Sequence, residues 1–188
     1  RRVEAALARA VDRVVVIHEH WKEEVCSDLD LKPENAVVIR NWTHVLPPTE
    51  RNREQVRERL GWGSNEIIAI HAGNMGVKQG LENVIDAARL AQDQGLRVRF
   101  VLMGDGSQRV HLEQYASGVS QVEFVSHLDD HQYAAALCAA DALILNERPG
   151  QLSSAVPSKL TSYFMTGVPV IAATEDEGVA AGEVRSSG

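Results

Sequence analysis

The sequence predicts an α/β protein built on a Rossmann-like, doubly wound parallel sheet, and three observations support this fold class. From Glu66 onward, short apolar stretches rich in β-branched residues alternate with stretches of helical periodicity. The stretches are apolar at nearly every position, so both faces of the sheet are expected to lie under helices. Glycine-containing loops follow the first two stretches, at the sheet edge where such folds bind ligands.

The first 65 residues precede this alternation. They contain two predicted helices and two predicted strands: helix 1–10, strand 12–17, a short helix over 21–25 and strand 36–40. Pro47 and Pro48 then favour an extended connection. The highly charged segment 50–60, which ends at Gly61, predicts a surface helix.

The rest of the chain supplies the sheet. The predicted strands are 67–72, 97–103, 122–125, 142–145 and 168–172, and the predicted helices are 78–94, 107–117, 130–140 and 158–166. We therefore divide the chain into residues 1–46, the end of a preceding domain; residues 47–65, a linker with a surface helix; and residues 66–188, the Rossmann-like domain. Because the chain stops soon after the fifth strand, we expect this domain to lack its last strand and helix.

Composition excludes several classes of protein. A net charge of -7 offers no basic face for nucleic acid. No apolar run approaches the roughly 20 residues of a membrane-spanning helix, and no secretory signal opens the chain. Cys26 and Cys138 are far apart and lack the spacing of a disulfide framework or a zinc site. We expect a protein of the cytoplasm or of the cytoplasmic face of the membrane.

Three candidate metal ligands stand at the end of the first predicted strand. His18 and His20 flank Glu19 there, and alternation along a strand would turn both rings to one side. Three adjacent residues cannot all face one ion without a bend, and no other ligand group is near in the sequence. No metal site is predicted.

The loop after strand 67–72 is predicted to bind a diphosphate. Gly73, Gly76 and Gly80 let the backbone approach a ligand, Lys78 adds a positive charge, and the expected helix start adds N–H groups. Their spacing, G-x-x-G-x-x-x-G, matches neither the dinucleotide motif nor the Walker A motif. The alternative is a strand-to-helix turn whose glycines serve geometry alone.

Three other loops follow strands at the same edge. Gly104-Asp105-Gly106 begins like a dinucleotide motif, but Arg109 occupies the third glycine position, and a tight turn is the alternative. Loop 126–130 offers backbone groups and His127, which is also typical of a protein surface. Lys159 opens a helix where the dipole disfavours a cation, which indicates an anionic ligand unless the side chain is simply solvated.

Taken together, these loops resemble motifs of bacterial glycosyltransferases of family 4, of the exopolysaccharide, colanic acid and O-antigen type. The resemblance is carried by Gly73–Glu82, Gly104–Gly106 and Pro157–Leu160. It implies the GT-B fold, in which two Rossmann-like domains face each other across a cleft. It also implies transfer of a sugar from a UDP- or GDP-linked donor to a hydroxyl of a lipid-linked or glycan acceptor, with retained anomeric configuration. The acceptor would be held by the N-terminal domain.

The resemblance implies roles for individual residues. Lys78 and Lys159 are the expected catalytic residues, because their charges would stabilise the departing diphosphate without a metal or other cofactor. The other expected donor contacts are Gly73, Asn74, Gly76, Gly104, Gly106, Ser126, His127, Leu128, Pro157, Ser158 and Ser162. Asn74 stands where many relatives have arginine. Ser154 and Ser162 stand where many have glutamates that contact the sugar and the ribose.

Two other functions stay open. A non-catalytic module that binds nucleotide sugars would need the same loops. A sugar-nucleotide epimerase of similar architecture would need an acid and a base at the cleft, for which His127 and Glu147 are the candidates. By itself the chain is expected to bind a donor weakly and to transfer nothing.

Overall fold

The structure is a computed structural model that describes residues 2–45, 47–49, 52–126, 128–150 and 156–187. Its contacts divide the chain into two units, Arg1–Trp42 and Thr43–Gly188. None of the helices in the described ranges combines the length and the apolar character needed to cross a bilayer.

The first unit is a small α/β element. It contains helices α1 (Arg2–Ala10) and α2 (Glu19–Leu29), strands β1 (Val14–Val16) and β2 (Ala36–Val38), and a 3-10 turn at Pro33–Asn35. The two strands pair in parallel, with Val14 opposite Ala36. Both strands were predicted, and both are shorter than the apolar runs.

The placement of His18, Glu19 and His20 at the end of a strand was wrong. His18 is the N-cap of α2, and its Nδ1 accepts a hydrogen bond of 3.0 Å from the backbone N–H of His20. Glu19 and His20 lie in the first helical turn. The side-chain oxygen that usually caps a helix is replaced here by a ring nitrogen.

The second unit contains the predicted sheet. Its elements are α3 (Arg53–Leu60), β3 (Ile67–Ala72), α4 (Glu82–Asp93), β4 (Val98–Met103), α5 (Arg109–Tyr115), β5 (Val122–Val125), α6 (Asp130–Ala139), β6 (Ala142–Asn146), α7 (Lys159–Thr166), β7 (Val170–Ala173) and α8 (Val179–Ser186). The strand order is β5-β4-β3-β6-β7, and all neighbours are parallel. The prediction of a doubly wound parallel sheet is confirmed.

Apolar residues on both faces of the sheet explain the near-continuous apolar strands. Ile68 and Ile70 pack against α3, α6 and α7 on one face, where Tyr163 is among the largest buried side chains. Ala69 and Leu102 pack against α4 and α5 on the other face. Successive side chains point to opposite faces of the sheet, so a strand covered by helices on both faces needs apolar residues at even and at odd positions.

Two partly buried ion pairs fix α3 to the sheet. Arg57, 7% exposed, and Arg53 both pair with the carboxylate of Asp141, which also accepts the backbone N–H of Ile68 at 2.7 Å. Burial opposes ionisation of Asp141, but the hydrogen bonds from Ile68, Arg57 and Arg53 outweigh it and lower the pKa of this carboxyl. The charged helix therefore has one face in the core.

Two parts of the second unit differ from the prediction. The helix predicted from residue 78 begins at Glu82, because Gly80 takes a left-handed conformation (φ 54°) and ends a separate 3-10 turn, Val77–Gln79. Lys78 therefore lies in that turn and not at a helix start. Helix α8 was not predicted.

Candidate functional site

The candidate site lies at the carboxyl ends of β3 and β6, where the two strands separate. Their pairing is limited to Ala69–Ala142 and Ile70–Leu143. Beyond it, the hydroxyl of Tyr163 accepts the backbone N–H of Ala72 at 2.8 Å and donates to the carbonyl of Ile144 at 3.3 Å. The helices after β3 and β6 cover opposite faces, so this crevice is the topological switch point of the sheet, the usual ligand position in open α/β folds.

The first half of the predicted phosphate loop is joined to the loop after β4. The backbone N–H of Gly73 donates to Met103 at 2.8 Å, and that of Met75 donates to Asp105 at 2.7 Å. Gln108 donates in return to the carbonyl of Met75 at 2.9 Å, and the side chain of Met75 is fully buried. These contacts hold the glycine loop in one conformation before any ligand binds.

Gly104 and Gly106 explain how the two loops approach so closely. A Cβ at Gly104 would lie 2.1 Å from the carbonyl oxygen of Gly73. A Cβ at Gly106 would lie 2.6 Å from both the carbonyl oxygen of Met75 and the side-chain oxygen of Asn74. Both glycines have positive φ, 132° and 153°. Their observed role is to pack beneath the first loop, and contact with a donor stays a prediction.

The second half of the loop is held by the end of β6. The buried side-chain amide of Asn146 donates to the carbonyls of Gln79 and Gly80 at 2.7 and 2.9 Å and accepts a hydrogen bond from Asn83. The backbone N–H of Arg148 donates to the carbonyl of Lys78 at 2.9 Å. The loop is thus fixed from both neighbouring strands.

Lys78 is exposed on this fixed loop. Its ammonium makes no hydrogen bond or ion pair with the part of the chain that the structure describes. An exposed cation on a rigid turn has its charge available for an anionic ligand. Asn74, on the same loop, lies between Gly76 and Gly106.

The N-terminus of α4, whose dipole was expected to help bind the anion, already has a carboxylate in its first turn. The first turn of α4 carries Glu82, whose carboxylate lies 3.2 Å from Arg148 and 3.3 Å from His111. This carboxylate already complements the positive end of the helix. The backbone N–H of Gly76 is also engaged, since it donates to the side chain of Gln79 at 3.0 Å. Positive charge at the site therefore depends on side chains more than on backbone N–H groups.

Lys159 reaches the other side of the same loop. It is the first residue of α7, as predicted, and its side chain extends to Gly73: a Cβ built there would lie 3.6 Å from Cε and 3.8 Å from Nζ. Burial lowers the pKa of Lys159 to about 8, although the charge of Glu147 acts in the opposite direction. The lysine therefore stays mostly protonated near neutral pH. The Ser158 hydroxyl makes no cap hydrogen bond at this helix start.

The imidazole of His71 contacts the ammonium of Lys159. The imidazole has no exposed surface, and its Nε2 and Nδ1 lie 3.1 and 3.5 Å from the Lys159 ammonium. Burial and the charge of Lys159 lower the pKa of His71 to about 3, against hydrogen bonds to the carbonyls of Asn74 and Ile144. The ring is neutral at physiological pH.

Leu128, one of the expected donor contacts, lies at a small cavity of about 220 Å³. Leu128, Tyr133, Gly73 and Gly104 contribute to its wall. Ser126 is exposed beside this region.

Ser162 is one of the buried residues of α7. It is only 7% exposed, and its hydroxyl lies 3.3 Å from that of Thr43 and contacts Tyr133. Pro157 is half-buried before α7. His127 and Ser154 lie outside the described residues.

No group of three or more His, Cys, Asp or Glu side chains within the described ranges is arranged to hold a metal ion.

A comparison of the sequence with models of protein families agrees with the geometry of this site. The family model of the Glycosyl transferases group 1 matches residues 66–185, more than half of the chain. The chain belongs to this family. The motifs predicted a bacterial glycosyltransferase, and this recognition from sequence is confirmed.

A curated relative in this family is the putative colanic acid biosynthesis glycosyl transferase WcaI of Escherichia coli K12. It is 30% identical over 139 residues, which are 71% of this chain and 34% of the relative. The chain therefore spans about a third of that relative's length.

Two solved structures share the fold of this group 1 chain. WaaG, a glycosyltransferase involved in lipopolysaccharide biosynthesis, has a TM-score of 0.68 at 19% identity, over 93% of this chain and 47% of that one. Anabaena Alr3699/HepE in complex with UDP has a TM-score of 0.71 at 20% identity, over 97% and 50%. These likenesses confirm the expected Rossmann-like domain of a GT-B glycosyltransferase.

Three residues of the site were not found from the sequence. His71 was predicted only as part of strand 67–72, Asn146 only as the first residue of the loop after strand 142–145, and Tyr163 only as part of helix 158–166. A signal was present for the first two, since each is a polar residue near the carboxyl end of a buried strand. Nothing local distinguishes Tyr163 from an ordinary core aromatic residue.

Proposed function

We propose that this chain is the donor-binding half of a retaining glycosyltransferase. The enzyme would move a sugar from a UDP- or GDP-linked donor to a hydroxyl of a lipid-linked or glycan acceptor. The observation that carries the proposal is the pair Lys78 and Lys159, which lie on separate elements and reach the same fixed glycine loop at the switch point. The family of the chain supports it.

The chemistry assigned to these lysines is electrostatic. As the bond between the sugar and the diphosphate breaks, negative charge accumulates on the departing nucleoside diphosphate. Lys78 and Lys159 would stabilise this charge, and because the loop is already ordered, little reorganisation is needed when the charge forms. We propose no metal in this step. Gly73 would let the diphosphate lie close to the backbone.

The acceptor and the pathway extend the proposal further. The names of WcaI and WaaG refer to colanic acid and to lipopolysaccharide, which supports a role in bacterial surface polysaccharide synthesis. The acceptor would be bound by a domain that precedes this one. Such an enzyme would act in the cytoplasm or at the cytoplasmic face of the membrane.

An epimerase is the weaker enzyme candidate. Glu147, one of its two candidate acid–base groups, accepts a hydrogen bond of 2.7 Å from the hydroxyl of Thr174. Its backbone N–H is bound to Ala173 at 3.0 Å. A carboxylate held in this way fits a structural role better than a proton shuttle. A non-catalytic binding module uses the same lysines and is separated from a transferase only by turnover.

Calorimetric titration of the chain with UDP, GDP and their glucose and mannose conjugates tests the donor site. We expect one nucleotide series to bind, and we expect Lys78→Ala and Lys159→Met each to weaken it about tenfold or more, as loss of a charge-assisted hydrogen bond would. Arg97→Ala is the matched control, since it removes an exposed cation at the opposite edge of the same sheet, where β4 begins. Absence of binding to every nucleotide tested would overturn the proposal.

The retaining transferase is tested with the two-domain protein. Transfer from a donor of defined anomeric configuration should give a product of the same configuration by NMR. Binding without turnover in the presence of candidate acceptors would favour the binding module instead.

A further inference from the structure

His71 is a buried side chain to which the electrostatic chemistry above assigns no role. It lies one residue before the end of β3 and has no exposed surface. A polar ring without access to water needs hydrogen-bond partners. It finds them in the Lys159 ammonium, 3.1 Å from Nε2, and in the carbonyls of Asn74 and Ile144.

These partners, one ammonium and two carbonyls, determine which nitrogen of the imidazole donates and which accepts. A neutral histidine carries one N–H donor and one unprotonated nitrogen. The carbonyls can only accept, and the ammonium can only donate. The ring therefore donates to a backbone carbonyl with one nitrogen and accepts from Lys159 with the other. Charging the ring would place two cations in contact in a buried site.

Lys159 needs such a partner because its position is unfavourable. It opens α7, where the helix dipole disfavours a cation, and its ammonium is largely withdrawn from water. A carboxylate in contact would stabilise the ammonium but would cancel its charge toward a ligand. A neutral acceptor orients the ammonium and leaves its full charge available.

We propose that His71 is a positioning residue for Lys159, holding its ammonium over Gly73 so that the charge faces an incoming nucleoside diphosphate. The role in ligand binding rests on the proposed function. The contact between His71 and Lys159 does not, so the two can be tested separately.

The first test follows the contact without any nucleotide. Among the described residues, the titratable groups that face Lys159 are His71, from β3, and Glu147, after β6. NMR of the labelled Lys159 side chain should give a pKa near 8 in the natural chain. His71→Phe, which keeps a flat ring but removes the acceptor, should lower this pKa. His71→Gln, which keeps one donor and one acceptor, should restore it. An unchanged pKa in His71→Phe would overturn the inference.

The second test is a double-mutant cycle with UDP or GDP, whichever binds. His71→Phe should weaken binding about tenfold in the natural chain, as expected for one charge-assisted hydrogen bond. It should have no further effect once Lys159→Met is present. Equal losses in both backgrounds would mean that His71 acts only through packing, and the inference would be wrong.

Two further outcomes are decisive. If Lys159→Met leaves nucleotide binding unchanged, the proposed function fails and His71 loses its role in binding, whatever NMR shows of the contact. If His71→Phe does not fold, the test is made on the natural chain. The nitrogen-15 chemical shifts of the His71 ring must then show a neutral imidazole down to about pH 5. A ring that titrates at the ordinary value of about 6.5 would contradict the arrangement.

Discussion

The contact between Gly104 and Gly73 can be tested by adding one methyl group. In Gly104→Ala the new Cβ would lie 2.1 Å from the Gly73 carbonyl oxygen and 2.9 Å from its carbon. No side chain can move to make room, because both atoms belong to the backbone. The first loop would have to retreat from the loop after β4.

The magnitude follows from the contacts that this retreat breaks. A non-glycine residue at positive φ costs about 1–2 kcal/mol by itself. The retreat would also strain or break the hydrogen bonds from Gly73 to Met103 and from Met75 to Asp105. At about 1 kcal/mol each, these bring the expected loss to about 3–4 kcal/mol of the free energy of unfolding.

Gly118→Ala is the matched control. Gly118 also has a positive φ, 81°, but a Cβ there would meet no atom within 4 Å. Its cost should be the backbone contribution alone, about 1–2 kcal/mol. Urea denaturation of both variants gives the comparison. If the two variants lose equal stability, the close approach of the loops does not constrain the glycine, and the reasoning is refuted.

Three further predictions concern single side chains. Tyr163→Phe should lower the free energy of unfolding by about 1–3 kcal/mol, because the N–H of Ala72 is left buried without a partner; an unchanged denaturation midpoint would contradict this. Asn146→Ala frees two loop carbonyls, so hydrogen exchange in loop 77–80 should accelerate more than in β4, and uniform exchange would argue against the clamp. Asp141 has a lowered pKa in the folded chain, so its contribution to stability is present above the ordinary pKa of about 4 and is lost as pH falls through the folded value. Asp141→Asn should therefore flatten the acid side of the stability profile measured by urea denaturation from about pH 7 to about pH 3, and an identical slope would count against the ion pair.

The sequence alone determined the fold class and the edge of the sheet where a ligand would bind. Periodicity is a local property: an apolar run such as 67–72 specifies a strand covered on both faces wherever it pairs. The positions of Lys78 and Lys159 beyond the carboxyl ends of strands follow from the same alternation. The motifs were also sufficient to recognise the family.

Local pattern was a poor guide to where helices begin. The helix after Gly80 starts four residues later than predicted, because the left-handed conformation of that glycine interrupts the chain. Spacing showed three glycines and a lysine but not which φ each glycine adopts. The expected anion site at a helix start was lost with this shift, since Glu82 lies in the true first turn.

The tertiary structure decided which groups meet. Lys159 lies 88 residues from His71, Tyr163 lies 91 residues from Ala72, and Asn146 lies 66 residues from Gly80. Such contacts depend on the strand order and on the position at which β3 and β6 separate, and local periodicity determines neither. The sequence therefore determined that a charged loop faces the switch point, and only the packing of distant strands determined how that charge is held.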